Sequence, residues 1–370
     1  MNEAWLDGEA QARLDTPAVI VDLDRLDANV ERMAAAMRMR GVALRPHAKT
    51  HKSVALARRQ LDAGAVGLTV ATIGEAEAFA DGGIEDLFIA YPVIAQGPKA
   101  ARLPRLSERC RLSVGADSPE GLGALAAAFR GAVAPRVLIE VDSGAGRSGV
   151  RPEAAGALAR QAADLGLPVV GVFTHAGHSY ADPARRSPAA DEEVAGLNAA
   201  ADAVRAEGIE PAVISAGSTP TAVLSARGPV TEERPGNYIF GDRQQIVLAG
   251  DPTDAANAVA LVVAATVVSH GSRGGFLVDA GAKVLGKDIA PYLPGHGAVL
   301  GYPEAVLTRL YDHHGVAEVP AGMPRPVIGE IVFITPNHVC PVVNLVDTFT
   351  VVRGGQVVDE WPVDARGRNT

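Results

Sequence analysis

One rhythm restricts the fold of this chain more than any other feature. Between Val42 and Gly241, short β-like runs alternate with alanine-rich amphipathic segments. The runs are Val42 to Pro46, Gly67 to Ala71, Asp86 to Ala90, Arg111 to Gly115, Arg136 to Val141, Val169 to Thr174, Ala212 to Ala216 and Asn237 to Gly241. Helical stretches such as Ser53 to Ala63, Ile73 to Asp81, Ser118 to Phe129, Arg151 to Ala163 and Pro188 to Glu207 lie between them. Strict alternation calls for parallel strands, and eight repeats predict a closed (β/α)8 TIM barrel rather than an open sheet. Ahead of them, Ala18 to Val21 reads as a strand. Asp22 or Asp24 then caps a helix that carries Leu26, Val30, Met33 and Met37 at helical spacing and ends at Gly41.

After Gly250-Asp251-Pro252 the pattern changes. Leu261 to Val268, Gly275 to Asp279, Val299 to Tyr302, Val316 to Val319, Glu330 to Ile334, Leu345 to Val352 and Val357 to Trp361 are β-like, and Gly/Pro turns too short for helices join them. The reading is a barrel over 16–250 followed by an all-β C-terminal domain over 251–370. A chain of 370 residues is too long for one typical core and accommodates both.

Charge excludes several functions. The 34 basic and 43 acidic residues give a net charge of −9 with no basic block, so nucleic acid and anionic membrane are not expected partners. No apolar run approaches the ~20 residues needed to span a bilayer, and Met1 to Asp15 is acidic where a signal peptide would be basic and apolar. The two cysteines, Cys110 and Cys340, fit a reducing compartment. A cytoplasmic location is expected.

In such a barrel the active site forms at the C-terminal ends of the strands. The residues there are His47-Ala48-Lys49 after the first run, Asp142 to Arg147 after the fifth, Thr174 to Tyr180 after the sixth, Ser215 to Pro220 after the seventh and Gly241-Asp242-Arg243 after the eighth. Lysine at a strand mouth can serve as a Schiff-base nucleophile, a use arginine cannot copy. In the seventh loop, Gly217 admits close backbone approach, Ser218 and Thr219 offer hydroxyls and N–H groups, and Pro220 suits the first turn of a helix whose N-terminus favours an anion. Lysine at strand one and a phosphate loop at strand seven together suggest pyridoxal 5'-phosphate. Arg147 could reach the cofactor or a substrate carboxylate, and His175 could stack on or bond the ring. His178 and Tyr180 share that loop. In the second domain, His338 and Cys340 would point to one side of an extended chain and could hold a cation, with the thiolate favouring zinc. Asp312-His313-His314 reads as a solvated turn.

Five motifs in register resemble those of the D-serine dehydratase and D-threonine aldolase family, fold-type III pyridoxal phosphate enzymes related to alanine racemase. They are Arg45-Pro46-His47-x-Lys49-Thr50-His51-Lys52, Thr174 to Tyr180, Gly217-Ser218-Thr219-Pro220, Arg234-Pro235-Gly236-Asn237-Tyr238 and Pro336-Asn337-His338-x-Cys340. The resemblance implies an alanine racemase-like barrel followed by a β domain that residues 1–15 join, and a homodimer. It implies that Lys49, rather than Lys52, carries the cofactor, that the Gly217–Thr219 loop and Tyr238 contact the phosphate, and that His338 and Cys340 bind a divalent metal. Zinc is the expected ion, with manganese or magnesium as alternatives.

The implied activity is a lyase acting on D-amino acids with a β-hydroxyl. His-x-Cys and Gly-Ser-Thr-Pro side with the dehydratases, which would convert D-serine to pyruvate and ammonia and D-threonine to 2-oxobutyrate. The alternative is D-threonine aldolase, giving glycine and an aldehyde with His175 as a candidate base. A racemase would not need the metal pair, and a non-catalytic cofactor-binding relative would lack the long β domain. His313 stands where relatives often carry an acidic residue.

Overall fold

The computed structural model describes residues 5–249, 252–271 and 274–370. The expected boundary at Gly250-Asp251 lies outside the described residues. Contacts divide the chain into two compact units. The barrel unit comprises Arg32–Lys49, Leu56–Gly236 and Arg368–Thr370, and the β unit comprises the N-terminal stretch through Glu31, Thr50–Ala55 and Asn237–Gly367.

Among the described residues of the barrel unit, eight parallel strands pair in the order Ala43–Leu44, Glu232–Glu233, Val213–Ala216, Val169–Phe173, Arg136–Glu140, Arg111–Ala116, Asp86–Pro92 and Leu68–Val70. A parallel bridge between His47 and Thr69 joins the two ends of this order. Inward side chains fill the centre: Phe88, Leu138 and Phe173 form one buried cluster, and the Phe88 and Phe173 rings meet edge to face at 5.0 Å. Such aromatic pairs add about 0.5–1.5 kcal/mol beyond area burial.

Seven strands fall within two residues or so of the sequence expectation. The eighth does not: Glu232–Glu233 takes the position expected for Asn237 to Gly241, and Asn237–Ile239 is a turn of 3-10 helix instead. Two buried glutamates carry no hydrophobic signature. They are tolerated because Glu232 accepts hydrogen bonds from Arg45 Nε and Ser215 Oγ, both at 2.7 Å, and Glu233 accepts one from Ser225 Oγ at 2.7 Å.

In the β unit, among the described residues, nine strands form one sheet, with Ala18–Asp22 between Leu261–His270 and Thr348–Arg353. Ile20 pairs with Val262 antiparallel and Val21 with Val351 parallel. The barrel expected over 16–250 therefore starts too early: Val19, Ile20 and Val21 are all buried in the β unit's sheet. Val306–Leu310 is a further strand that the sequence reading did not include; its exposed Arg309 breaks the apolar pattern. The unit is not purely β, since Arg243–Leu248, Ala282–Leu285 and Val339–Leu345 are short helices. Among the described residues, no helix is long and apolar enough to cross a membrane.

Candidate active site

Lys49 sits in the single 3-10 turn Ala48–Thr50, just past the first barrel strand. Across the barrel mouth, His175 follows the strand Val169–Phe173 and places Nδ1 2.6 Å from the Gly217 carbonyl oxygen. A carbonyl can only accept, so Nδ1 carries the proton and Nε2 keeps its lone pair. Burial, helped by the nearby Lys49 charge, pushes the imidazole down to about 3. His175 is therefore neutral near pH 7, and Nε2 is the nitrogen left to accept a hydrogen bond.

The loop after the seventh barrel strand is held from beneath. Gly217 has φ +156°, and a Cβ there would lie 2.7 Å from the Arg234 backbone nitrogen. Gly217→Ala is accordingly expected to destabilise the protein by about 1–3 kcal/mol, read as a fall in the urea midpoint with unchanged slope. The Gly217 N–H donates to Glu193 Oε1 at 2.9 Å, and Thr221 Oγ1 donates to Glu193 Oε2 at 2.9 Å. Ser218 Oγ lies 2.8 Å from Thr221 Oγ1 and 3.2 Å from Ser179 Oγ. Thr219 Oγ1 is buried with no hydrogen-bond partner. The helix expected to aim its dipole at an anion is only the one-turn Ala222–Ser225, and Pro220 precedes it. What the loop offers a ligand is therefore N–H and hydroxyl groups rather than a helix terminus.

The other barrel candidates stand as follows. The Arg147 side chain is 62% exposed and 3.9 Å from Glu140. His178 Nε2 lies 2.8 Å from Glu192, which also bonds Arg185, and its Nδ1 is buried without a partner. Tyr180 ends the 3-10 turn Gly177–Tyr180.

In the β unit, Tyr238 is buried in the turn Asn237–Ile239. His338 and Cys340 do meet, but not on an extended chain. His338 is the N-cap of the helix Val339–Leu345 and Cys340 lies in its first turn, with the imidazole bonded to the cysteine sulfur. His338 Nδ1 is 2.6 Å from Asp288 Oδ2. Burial opposes a charge on this ring, but the Cys340 thiolate and Asp288 carboxylate outweigh it and push the imidazole up to about 11. The segment is clamped: the Asn337 amide donates to the Asp288 and Gly295 carbonyls at 3.0 and 2.8 Å and accepts from Arg243 at 2.7 Å. Cys340 Sγ is 3.5 Å from Thr50 Oγ1. Asp312, His313 and His314 form an exposed turn, as expected.

Sequence reasoning assigns no role to three residues, Glu193, Asp288 and Arg234, although Arg234 opens one of the five motifs. The last is fully buried, bonded to Ser215 Oγ and the Thr174 carbonyl at 2.5 Å, with its guanidinium 5.3 Å from the Phe173 ring centre. Only Glu193 left a signal. It occupies the buried face of Arg186–Ala206 together with Ala189, Ala190, Leu197 and Val204, where an acid is out of place.

A parallel eight-stranded barrel with a lysine past its first strand, in one chain with a mainly β unit, defines the alanine racemase-like class. The family model described as "Alanine racemase, N-terminal domain" matches residues 21–244, and "Putative serine dehydratase domain" matches residues 260–352. The chain belongs to the D-serine dehydratase and D-threonine aldolase family within that class. It is 36% identical to a D-threonine aldolase of Arthrobacter sp over 97% of this chain and 95% of the relative. It is 39% identical to the D-threo-3-hydroxyaspartate dehydratase of Delftia sp., covering 88% and 91%. The D-threonine aldolase structure from Filomicrobium marinum superposes with a TM-score of 0.85 at 33% identity, covering 96% of each chain. The D-threo-3-hydroxyaspartate dehydratase has also been solved as a cysteine-to-alanine variant in a metal-free form and as a histidine-to-alanine variant.

Proposed function

We propose that this protein is a pyridoxal phosphate- and divalent metal-dependent lyase of D-β-hydroxy-α-amino acids, working as a dehydratase on D-serine and D-threonine. The observation that carries the reading is a lysine at the barrel mouth beside a neutral His175, over a loop whose Thr219 hydroxyl is buried and unpartnered. These residues fit the cofactor. The glycine cradle and open hydroxyl suit a phosphate, Lys49 supplies the amine that anchors the aldehyde, and Arg147, His175, Tyr180 and Tyr238 would complete the binding set. The metal pair fits as well: an imidazole oriented through Nδ1 by a carboxylate, next to a thiolate, is a donor set for zinc or a similar divalent ion. Among the described residues, no group of three or more His, Cys, Asp or Glu could hold a metal ion.

When bound, the cofactor supplies an electron sink for charge at Cα and the metal supplies Lewis acidity at the β-oxygen. Lys49, once free, takes the α-proton from substrate carbon. His175, with Nδ1–H committed to Gly217, offers only Nε2 to the bound ring or substrate. Loss of the α-proton and the β-hydroxyl, followed by addition of water, converts D-serine to pyruvate and ammonia. In the solved dehydratase, the altered histidine and cysteine are two residues apart, the spacing of His338 and Cys340, which favours dehydration. The second reading is retro-aldol cleavage, favoured by the aldolase relatives and by a neutral His175 able to accept the β-hydroxyl proton. A homodimer in the cytoplasm is part of the proposal.

Metal-replete, cofactor-loaded protein is expected to release pyruvate from D-serine and 2-oxobutyrate from D-threonine. Glycine and acetaldehyde from D-threonine would replace dehydration with the aldolase reading.

A further inference from the structure

We propose that Glu193 is a positioning residue that sets the direction of the Thr221 and Ser218 hydroxyl hydrogens under the Gly217–Thr219 loop, so that Thr219, and not Ser218, donates to the cofactor phosphate. The inference rests on the cofactor reading above and goes beyond it by deciding which hydroxyl acts and what fixes it.

The argument is a count of hydrogens. A carboxylate only accepts, so the 2.9 Å contact between Thr221 Oγ1 and Glu193 Oε2 uses the Thr221 hydrogen. Thr221 Oγ1 can then only accept at its second contact, 2.8 Å from Ser218 Oγ, which uses the Ser218 hydrogen. The remaining contact of Ser218, 3.2 Å from Ser179 Oγ, must be one that it accepts. Ser218 thus has no hydrogen left for an anion. The Thr219 hydroxyl, buried and unpartnered, still has its own. Glu193 also receives the Gly217 N–H at 2.9 Å, and Gly217 in turn gives its carbonyl to His175 at 2.6 Å. One carboxylate therefore fixes the loop backbone and, through Gly217, the tautomer of His175.

This requires Glu193 to be the ionised member of its buried pair with Glu233. Glu233 is raised well above the ordinary range by burial and by the Glu193 charge, which makes it the proton-bearing acid of the pair. Burial raises Glu193 as well, but the Gly217 N–H, the Thr221 hydroxyl and the Arg234 charge all favour its ionised form. An uncharged Glu193 would leave the Thr221 and Ser218 hydrogens free to turn either way.

The test compares affinities of the full chain, stripped of cofactor, for pyridoxal 5'-phosphate and for pyridoxal, by absorbance titration. A residue that merely stabilises the fold would weaken both ligands together. Thr219→Ala is expected to lower the preference for the phosphorylated ligand by about tenfold or more, the worth of one hydrogen bond to a charged group, with pyridoxal affinity little changed, and adding Glu193→Gln, which releases the Ser218 hydrogen, is expected to recover part of that loss. Ser218→Ala is expected to keep most of that preference. Thr219→Ala removes no hydrogen bond present in the structure, so its folding is secure even if Glu193 variants prove unstable. Equal losses for Ser218→Ala and Thr219→Ala, or a Thr219→Ala loss left unchanged by adding Glu193→Gln, would overturn the inference while leaving the cofactor reading intact. A wild-type protein with no preference for the phosphate would overturn both.

Discussion

Lys49→Ala is expected to abolish the visible absorption of the cofactor-loaded protein and to lower turnover by roughly a thousandfold or more, because it would remove both the proposed covalent anchor and the proposed base for the α-proton. The competing lysine is three residues on, and the structure separates the two. Lys52 is buried, adopts φ +51°, and places Nζ 2.7 Å from Asn344 Oδ1, while its carbonyl accepts the Ala365 N–H. An amine held in that way serves the fold of the β unit. Lys49 lies in the barrel unit at the mouth of the first strand, and its charge is felt by His175. Lys52→Ala is therefore expected to keep the visible band and to lower the melting temperature instead. Spectra and melting curves of the two variants, recorded side by side, decide between them.

His338→Ala is expected to eliminate the proposed metal-dependent turnover, and Asp288→Ala to weaken metal affinity by about 10–100-fold while leaving the cofactor band in place. The second effect follows from the 2.6 Å contact between Asp288 Oδ2 and His338 Nδ1. A carboxylate on the far nitrogen fixes the ring and raises its basicity as a ligand, and loss of such partners has that magnitude. Asp288→Asn keeps the shape but not the charge and should fall between wild type and alanine. Equilibrium dialysis with zinc, together with metal titration of pyruvate release, measures both. Unchanged zinc affinity in Asp288→Ala would show that His338 is oriented by other means. Unchanged turnover in His338→Ala would remove the metal pair from the chemistry.

Much of this architecture could be read from the sequence, and the failures have physical causes. Arg136–Glu140 is legible because a parallel strand covered on both faces reads as an unbroken apolar run, here Val137-Leu138-Ile139. Glu232–Glu233 is illegible because its burial is made tolerable by the side chains of Arg45, Ser215 and Ser225, which no local apolar pattern announces. Ala18–Asp22 looks like the first strand of a βα repeat, and nothing local reveals that its partners are Leu261–His270 and Thr348–Arg353. Within the candidate site, side chains at strand ends were legible from the rhythm alone. His338 and Cys340 were legible as a pair, although a helix cap and not a strand brings them together. Asp288 was not, since a carboxylate fifty positions from its histidine carries no local mark.

The most direct test is to reduce the cofactor-loaded protein with borohydride, digest it and locate the pyridoxyl group by peptide mass mapping. The account predicts modification of Lys49 alone, in stoichiometric yield. Modification of Lys52, or of no lysine in the segment from Arg45 to Ser53, would contradict it.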